Sequence, residues 1–305
     1  MNNLNMAPAL PFLYPSSKGT SGIQIQVCRM TKRRLPTSRD RGDCMKDVAV
    51  VDHLGTGTPD LLLIGDGRLA RHLSCYLEQL GLRHAPWSRR MHAEGQCPEL
   101  NALVHSRTHA LLAISDGAIE PFISAHPELG SAVCVHFSGR LSSPLAIAAH
   151  PLFSFAGTLY DRELYERIPF VIERGAPPLA SLIPGLKNLS FFIEPERRSR
   201  YHALCVMAGN FTTLLWRKLF FELDCELGIA LEHALPYLES VTRGLAGKGA
   251  PLSGPLSRGD QATVQGNIEA LKGDPFEEVY RAFVSAYEQQ GKLAAVRRGK
   301  DWLAQ

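Results

Sequence analysis

The sequence predicts an α/β fold, a doubly wound parallel sheet followed by an all-α C-terminal domain led by a long helix. Three observations predict it. Short apolar runs alternate with amphipathic segments from Leu61 to about residue 193, the pattern of parallel strands joined by crossover helices. The first run is closed by a glycine turn, Gly65-Asp66-Gly67-Arg68-Leu69-Ala70, that opens a helical segment. Beyond Glu194 the apolar spacing becomes wholly helical, beginning with a long segment from Arg197 to Leu227.

Composition narrows the class. At 305 residues there is room for two domains, and 45% hydrophobic against 21% charged residues excludes a disordered chain. No run of about 18 apolar residues occurs, so a membrane-spanning helix is excluded. The expected divisions are a basic, disordered leader over 1–57, a nucleotide-binding domain over 58–195 and a helical domain over 196–305. Residues 1–58 hold eight Lys and Arg against four Asp, which more than accounts for the net charge of +3. The cluster Lys32-Arg33-Arg34 reads as a solvated tail, and neither nucleic acid nor a membrane is an expected partner. The seven cysteines are odd in number and form no CxxC pair, which fits reduced thiols in a cytoplasmic protein. The eleven histidines show no metal-ligand spacing, so no metal is expected.

Taken in order, Leu61–Ile64 is a buried parallel strand. Leu69, Leu73, Tyr76, Leu77 and Leu80 then mark the apolar face of a helix. The turn between them has the GxGxxA form of a Rossmann-type dinucleotide site. Gly65 makes the tight turn, Gly67 admits a pyrophosphate to the backbone at the helix N-terminus, and Ala70 lets helix and strand pack closely. An NAD site expects an acidic residue about 20 positions beyond the glycines. Here the place is filled by His84-Ala-Pro-Trp-Ser88-Arg89-Arg90. Ser88, Arg89 and Arg90 suit a 2′-phosphate, so NADP(H) is the expected cofactor.

The alternation continues with a helix at Leu100–Val104, a strand over His109–Ser115, a helix over 117–125 and a strand over 132–136. Phe153–Phe155, Pro169–Ile172 and Leu189–Ile193 are expected to extend the sheet. Ligands of such a sheet lie at the carboxyl ends of its strands. Three polar clusters fall there: Ser115-Asp116, assigned to the cofactor, His136-Phe-Ser138-Gly139, and His150-Pro151.

A Rossmann domain followed by helices with one long leading helix resembles the 6-phosphogluconate dehydrogenase-like superfamily, which includes ketopantoate reductase. The chain is most similar to a bacterial Rossmann-like family within it, whose C-terminal half is a domain of unknown function. The resemblance rests on GDGRLA, on HFSGRLSS (136–143) with HPLFSF (150–155), on YHALCVMAGN (201–210) and on GPLSRGDQATV (254–264), and it covers about 59–290. It implies two domains, NADP(H) binding and a homodimer formed through the helical domain, and no known substrate.

In the β-hydroxyacid dehydrogenases of that superfamily the long helix carries a catalytic Lys four residues before an Asn. Asn210 resembles that Asn, but Val206 stands in the Lys position. His202, about 80° from Asn210 around an ideal helix, is the replacement general acid, since imidazole can protonate near neutral pH. Interdomain packing is the other reading of His202. Ser138 and the Gly139 backbone suit a substrate carboxylate or carbonyl, and His136 either bonds the substrate or braces the loop. His150-Pro151 resembles the His-Pro of prephenate dehydrogenases but reads as a structural turn. Arg258 suits an anionic substrate group, and Asp260 reads as a helix cap. The apolar stripe from Phe211 to Phe221 is core or dimer interface. The expected activity is NADP(H)-dependent reduction of a C=O or C=N in a small anionic metabolite, a 2-oxo acid such as ketopantoate or an imine. The alternatives are an NADP(H)-binding regulator or scaffold without turnover, and a prephenate-dehydrogenase-like enzyme.

Overall fold

The computed structural model describes residues 61–105, 107–246 and 252–302, with side chains to residue 290; the expected leader lies outside the described residues. Two compact units divide between Cys225 and Glu226. The sheet ends at Ile193, close to the expected division at 195, and the helices from 198 to 225 go with it.

The first unit is built on seven strands: β1 (Leu61–Ile64), β2 (His84–Trp87), β3 (His109–Leu112), β4 (Val133–His136), β5 (Ile147–Pro151), β6 (Phe170–Glu173) and β7 (Ser190–Ile193). Their order is β2-β1-β3-β4-β5-β6-β7. Helices α1 (Arg68–Gln79), α2 (Arg89–Ala93), α3 (Leu100–Val104), α4 (Asp116–Ala125), α5 (Arg162–Glu166) and α6 (Leu179–Leu182) lie between the strands. Every pairing is parallel except β5 with β6, which is antiparallel. The sheet is therefore mostly rather than wholly parallel. Between β5 and β6 the chain has only the short α5, and β6 returns beside β5 without a crossover.

Side chains alternate across the strands, as a pleated backbone requires. Leu61, Leu63, Leu111 and Val135 enter one apolar layer with Leu73, Tyr76 and Leu77 of α1. Leu62, Ile64, Ala110 and Leu112 enter the other with Trp87, Leu100 and Val104. A sheet buried on both faces explains why its first strands read as unbroken apolar runs.

Phe153–Phe155 is not a strand. The fifth strand is Ile147–Pro151, whose central Ala148 and Ala149 are small and buried and carry little β signal. Phe155 packs against α1 instead, and Phe153 lies against Phe155 and Tyr160. The Phe155 carbonyl accepts from Arg68 Nη1 at 3.2 Å, and its ring centroid lies 4.9 Å from that of His72.

After β7, α7 (Arg198–Val206) runs into a π-helical turn, Met207–Phe211, and on into α8 (Thr212–Cys225). No residue of α8 is buried, and Leu214, Leu215 and Phe221 are exposed, so the stripe from Phe211 to Phe221 is not core. The second unit holds α9 (Leu231–Ala246), α10 (Pro255–Arg258), α11 (Gln261–Ala270) and α12 (Phe276–Trp302). Asp260 caps α11 as expected, accepting from Thr263 N at 3.1 Å and Thr263 Oγ1 at 2.7 Å. Among the described residues no helix is long and apolar enough to cross a membrane.

Gly65 shows how tightly the first turn is made. Its φ is +128°, and a Cβ there would run into the Ala113 carbonyl oxygen of the neighbouring strand connection. Gly65→Ala is expected to cost more than about 2 kcal/mol through left-handed strain and overlap together. Urea unfolding of the variant checks this; a midpoint equal to wild type would contradict it.

Candidate active site

Two polar centres stand at the carboxyl ends of the strands in the first unit. The first surrounds the β1–α1 turn, beside the point where the order reverses from β2 to β3 around β1. There Gly67 (φ −71°) is exposed, with nothing within 4 Å of where a Cβ would stand. The backbone at the N-terminus of the twelve-residue α1 is thus open to an approaching anion. Asp66 Oδ2 accepts from Arg90 Nε at 2.8 Å and from Ser88 Oγ at 3.0 Å. The Arg90 bond, with Ser88 adding to it, holds the Asp66 carboxyl below its ordinary value against the smaller opposing effect of burial. Ser88 also caps α2, taking the Met91 N–H at 3.1 Å. Arg89 is exposed, Leu69 packs against the core, and Ala70 is buried at the strand–helix contact.

The second centre joins the ends of β3, β4 and β5 to α7. Ser115 occupies the cap position of α4 without a side-chain bond. Asp116 accepts from Ser138 Oγ at 2.6 Å rather than standing free for a cofactor. Ser138 Oγ in turn accepts from Arg140 N at 3.2 Å and Leu141 N at 2.9 Å. One donor and two lone pairs are then all used, so Ser138 builds the loop. His136 is fully buried; its Nδ1 accepts from Ser138 N at 3.3 Å, and its Nε2 has no partner.

Gly139 is enclosed by two imidazoles. A Cβ on it would stand 3.0 Å from His150 Nε2 and Cδ2, and would run into His202 Cδ2. The His150 and His202 rings meet edge to face at 5.7 Å. His150 Nδ1 bonds the Tyr201 hydroxyl at 2.8 Å. Beneath them lies Arg198, with no solvent exposure. It donates Nη2 to Ser138 O at 2.5 Å and Nε to Leu141 O at 3.0 Å, and its Nε lies 3.4 Å from Glu173 Oε1.

Loss of hydration disfavours the charged forms here. Burial, with the His202 and Arg198 charges, brings His150 down to about 4, and burial with Arg198 brings His136 to about 4. Burial and Cys205 push the Tyr201 phenol up.

Of the expected site residues, His136, Ser138, Gly139 and His202 come together, with Asp116 joining them from the cofactor set. Asn210 is exposed on the π-helical turn. Arg258, exposed at the end of α10, lies in the second unit. Sequence reasoning missed Arg198 and Tyr201 and read His150 as a turn residue. Arg198 sits in the run Arg197-Arg198-Ser199-Arg200, whose composition gives no sign that one of its members is buried. Among the described residues no cluster of ligands could hold a metal.

The fold defined by these elements is a Rossmann-like sheet followed by a helical region. Residues 168–287 match the family model of a domain of unknown function, DUF2520, in agreement with the resemblance carried by the C-terminal motifs. Among solved structures the chain is similar to a protein of Bacteroides fragilis assigned as an NADP oxidoreductase. The two are 21% identical over 76% of this chain and 98% of the other, with a TM-score of 0.60. A Thermotoga maritima protein is 25% identical over 77% and 99%, with a TM-score of 0.55. A reductive aminase from Aspergillus terreus, in complex with NADPH4, cyclohexanone and allyl amine, is 15% identical over 79% and 95%, with a TM-score of 0.50. Comparison with curated proteins finds no match.

The two neutral histidines make stability depend on pH. In the unfolded chain each takes a proton near 6.5, in the fold only near 4. Between those values the unfolded state binds more protons, so stability present above 6.5 is lost as pH falls toward 4. The expected loss is at most about 3 kcal/mol per histidine. Urea unfolding from pH 7.5 to 4 reads it, and a profile no flatter in the His136→Gln/His150→Gln double variant would contradict the assignment.

Proposed function

We propose that the protein is an NADP(H)-dependent oxidoreductase that reduces a C=O or C=N of a small anionic metabolite, a 2-oxo acid such as ketopantoate or an imine. The observation that carries this reading is the open backbone at Gly67 on the N-terminus of α1, with Ser88, Arg89 and Arg90 at the end of the adjoining strand. The likeness to a reductive aminase held with NADPH4 supports it.

The α1 N–H groups bind the pyrophosphate. Asp66 holds Arg90 by its Nε edge, which leaves the two terminal amino groups of the fork, with Arg89, for the 2′-phosphate. When bound, the dinucleotide supplies the hydride. The residues around Gly139 orient the acceptor. His202 delivers the proton, Asn210 polarises the acceptor atom, and Gly139, in a loop shaped by His136 and Ser138, holds the anionic group.

Fluorescence titration tests the cofactor. NADPH is expected to bind at least roughly ten-fold more tightly than NADH, the scale of one charged hydrogen bond. Arg90→Ala abolishes the preference, and Gly67→Ala weakens binding while the protein stays as stable as wild type, because its Cβ meets open space. Equal affinity for the two dinucleotides would sink the assignment. The second reading, a dinucleotide-binding regulator, is favoured by Val206 in the Lys position. Tight NADPH binding with no oxidation across a panel of 2-oxo acids and imines selects it.

A second copy of the chain is the proposed cover for Leu204, Met207, Phe211, Leu214 and Leu215, all of them exposed. Sedimentation is expected to give a dimer that Phe211→Glu dissociates. A wild-type monomer at tens of micromolar would refute it.

A further inference from the structure

The Tyr201–His150 pair is not part of the chemistry assigned above. Three observations give it a role. His150 Nδ1 is bonded to the Tyr201 hydroxyl at 2.8 Å. Its Nε2 edge lies against Gly139, close enough that a Cβ there would be 3.0 Å away. Among the described residues that Nε2 has no hydrogen-bond partner. The groups facing the ring are Tyr201 and His202 from α7, Arg198 from the start of α7, and Asp116 from α4. Two of these are cationic or can become so, which together with burial disfavours an imidazolium.

A phenol is an uncharged donor, and a neutral imidazole has one acceptor nitrogen and one donor nitrogen. The Tyr201 hydroxyl has a second partner in Cys205 and only one proton; when that proton goes to Nδ1 and the thiol donates to the phenol oxygen, the ring proton must sit on Nε2. We infer that Tyr201 is a positioning residue that fixes His150 as its Nε2–H tautomer, and that this N–H donates to an oxygen of the substrate, carbonyl or carboxylate, held at Gly139. The substrate contact rests on the proposed function; the tautomer does not.

The ligand class follows from the donor. A neutral N–H pairs with an oxygen lone pair and offers nothing to an ammonium group. Gly139 serves the same arrangement: a side chain there would displace both imidazoles, so the absence of one is what lets the two rings close on the loop.

The experiment is nitrogen NMR on the full-length protein with labelled histidine, with oxamate as a non-reducible 2-oxo acid analogue. The wild type is expected to show His150 protonated at Nε2, and oxamate with NADP⁺ to move that signal. Tyr201→Phe is expected to give mixed tautomers and to weaken oxamate about ten-fold or more. His150→Gln, whose amide can donate from the same place, keeps oxamate binding; His150→Phe loses it. An Nδ1–H tautomer in the wild type overturns the inference, as does a Tyr201→Phe protein with unchanged tautomer and affinity. An oxamate response that spares His150, or none at any histidine, overturns the substrate contact. NADPH fluorescence, measured separately, fails only if the reading of the β1–α1 turn fails.

Discussion

The site depends first on one buried cation. Arg198 has no solvent exposure, yet it enters the interior between the loop after β4 and the end of β6. Its guanidinium answers two loop carbonyls, Ser138 O and Leu141 O, and stands 3.4 Å from the Glu173 carboxylate. An unpaired charge here would cost several kcal/mol, whereas the paired one fixes geometry. Because Arg198 begins α7, its placement also sets Tyr201 against His150 and His202 against Gly139 one turn later. Loop, strand end and helix are joined through a single side chain. Its remaining Nη1 has no partner, so the arrangement tolerates an unsatisfied donor in order to hold the loop.

Two aspartates repeat a simpler device. Asp66 follows β1 and Asp116 follows β3, and each accepts from a serine 22 residues later, Ser88 and Ser138. Each pair ties one strand's carboxyl end to the next loop across the crevice where a doubly wound sheet binds ligands. The pairs differ in what they leave available. At Asp66 the second partner is an exposed arginine held by one edge, so donors remain. At Asp116 the serine is saturated by the backbone of Arg140 and Leu141. The first centre suits a phosphate and the second a shaped surface of backbone and imidazole, the division of labour that the proposed reaction needs.

Most of the fold was legible because its signals are local. Leu61–Ile64, the glycine turn and the apolar face of α1 are contiguous in sequence, and burial of the sheet on both faces made its strands unbroken apolar runs. Ile147–Pro151 escaped notice because Ala148 and Ala149 pack well in a crowded sheet interior while carrying little β preference. Phe153 and Phe155 carry a strand signal because aromatic residues favour strands, but here Phe155 covers α1 and Phe153 packs on Phe155 and Tyr160. At the site, residue types that face solvent in most settings were the obstacle. Nothing in Arg197-Arg198-Ser199-Arg200 distinguishes the buried arginine, since its partners are main-chain oxygens some 60 residues away. His150 read as a turn residue because its value comes from Tyr201, 51 positions on.

Val206 in place of a lysine looks like a loss when the helix is read alone. In three dimensions the imidazoles that enclose Gly139 are His202, from earlier on the helix, and His150, from β5, with Tyr201 bonded to His150. Tyr201 and His202 precede the π-helical turn at Met207–Phe211, and His150 comes from the sheet. A lysine ammonium brought to the same place would face the Arg198 charge, and its own hydration would be lost, the same burial that keeps the His150 imidazole neutral. Neutral donors avoid that repulsion and still polarise an oxygen in a low-dielectric setting, where hydrogen bonds are strengthened. In the proposed reaction an apolar side chain at 206 therefore costs nothing, because the proton is assigned to His202 and the neutral donor to His150.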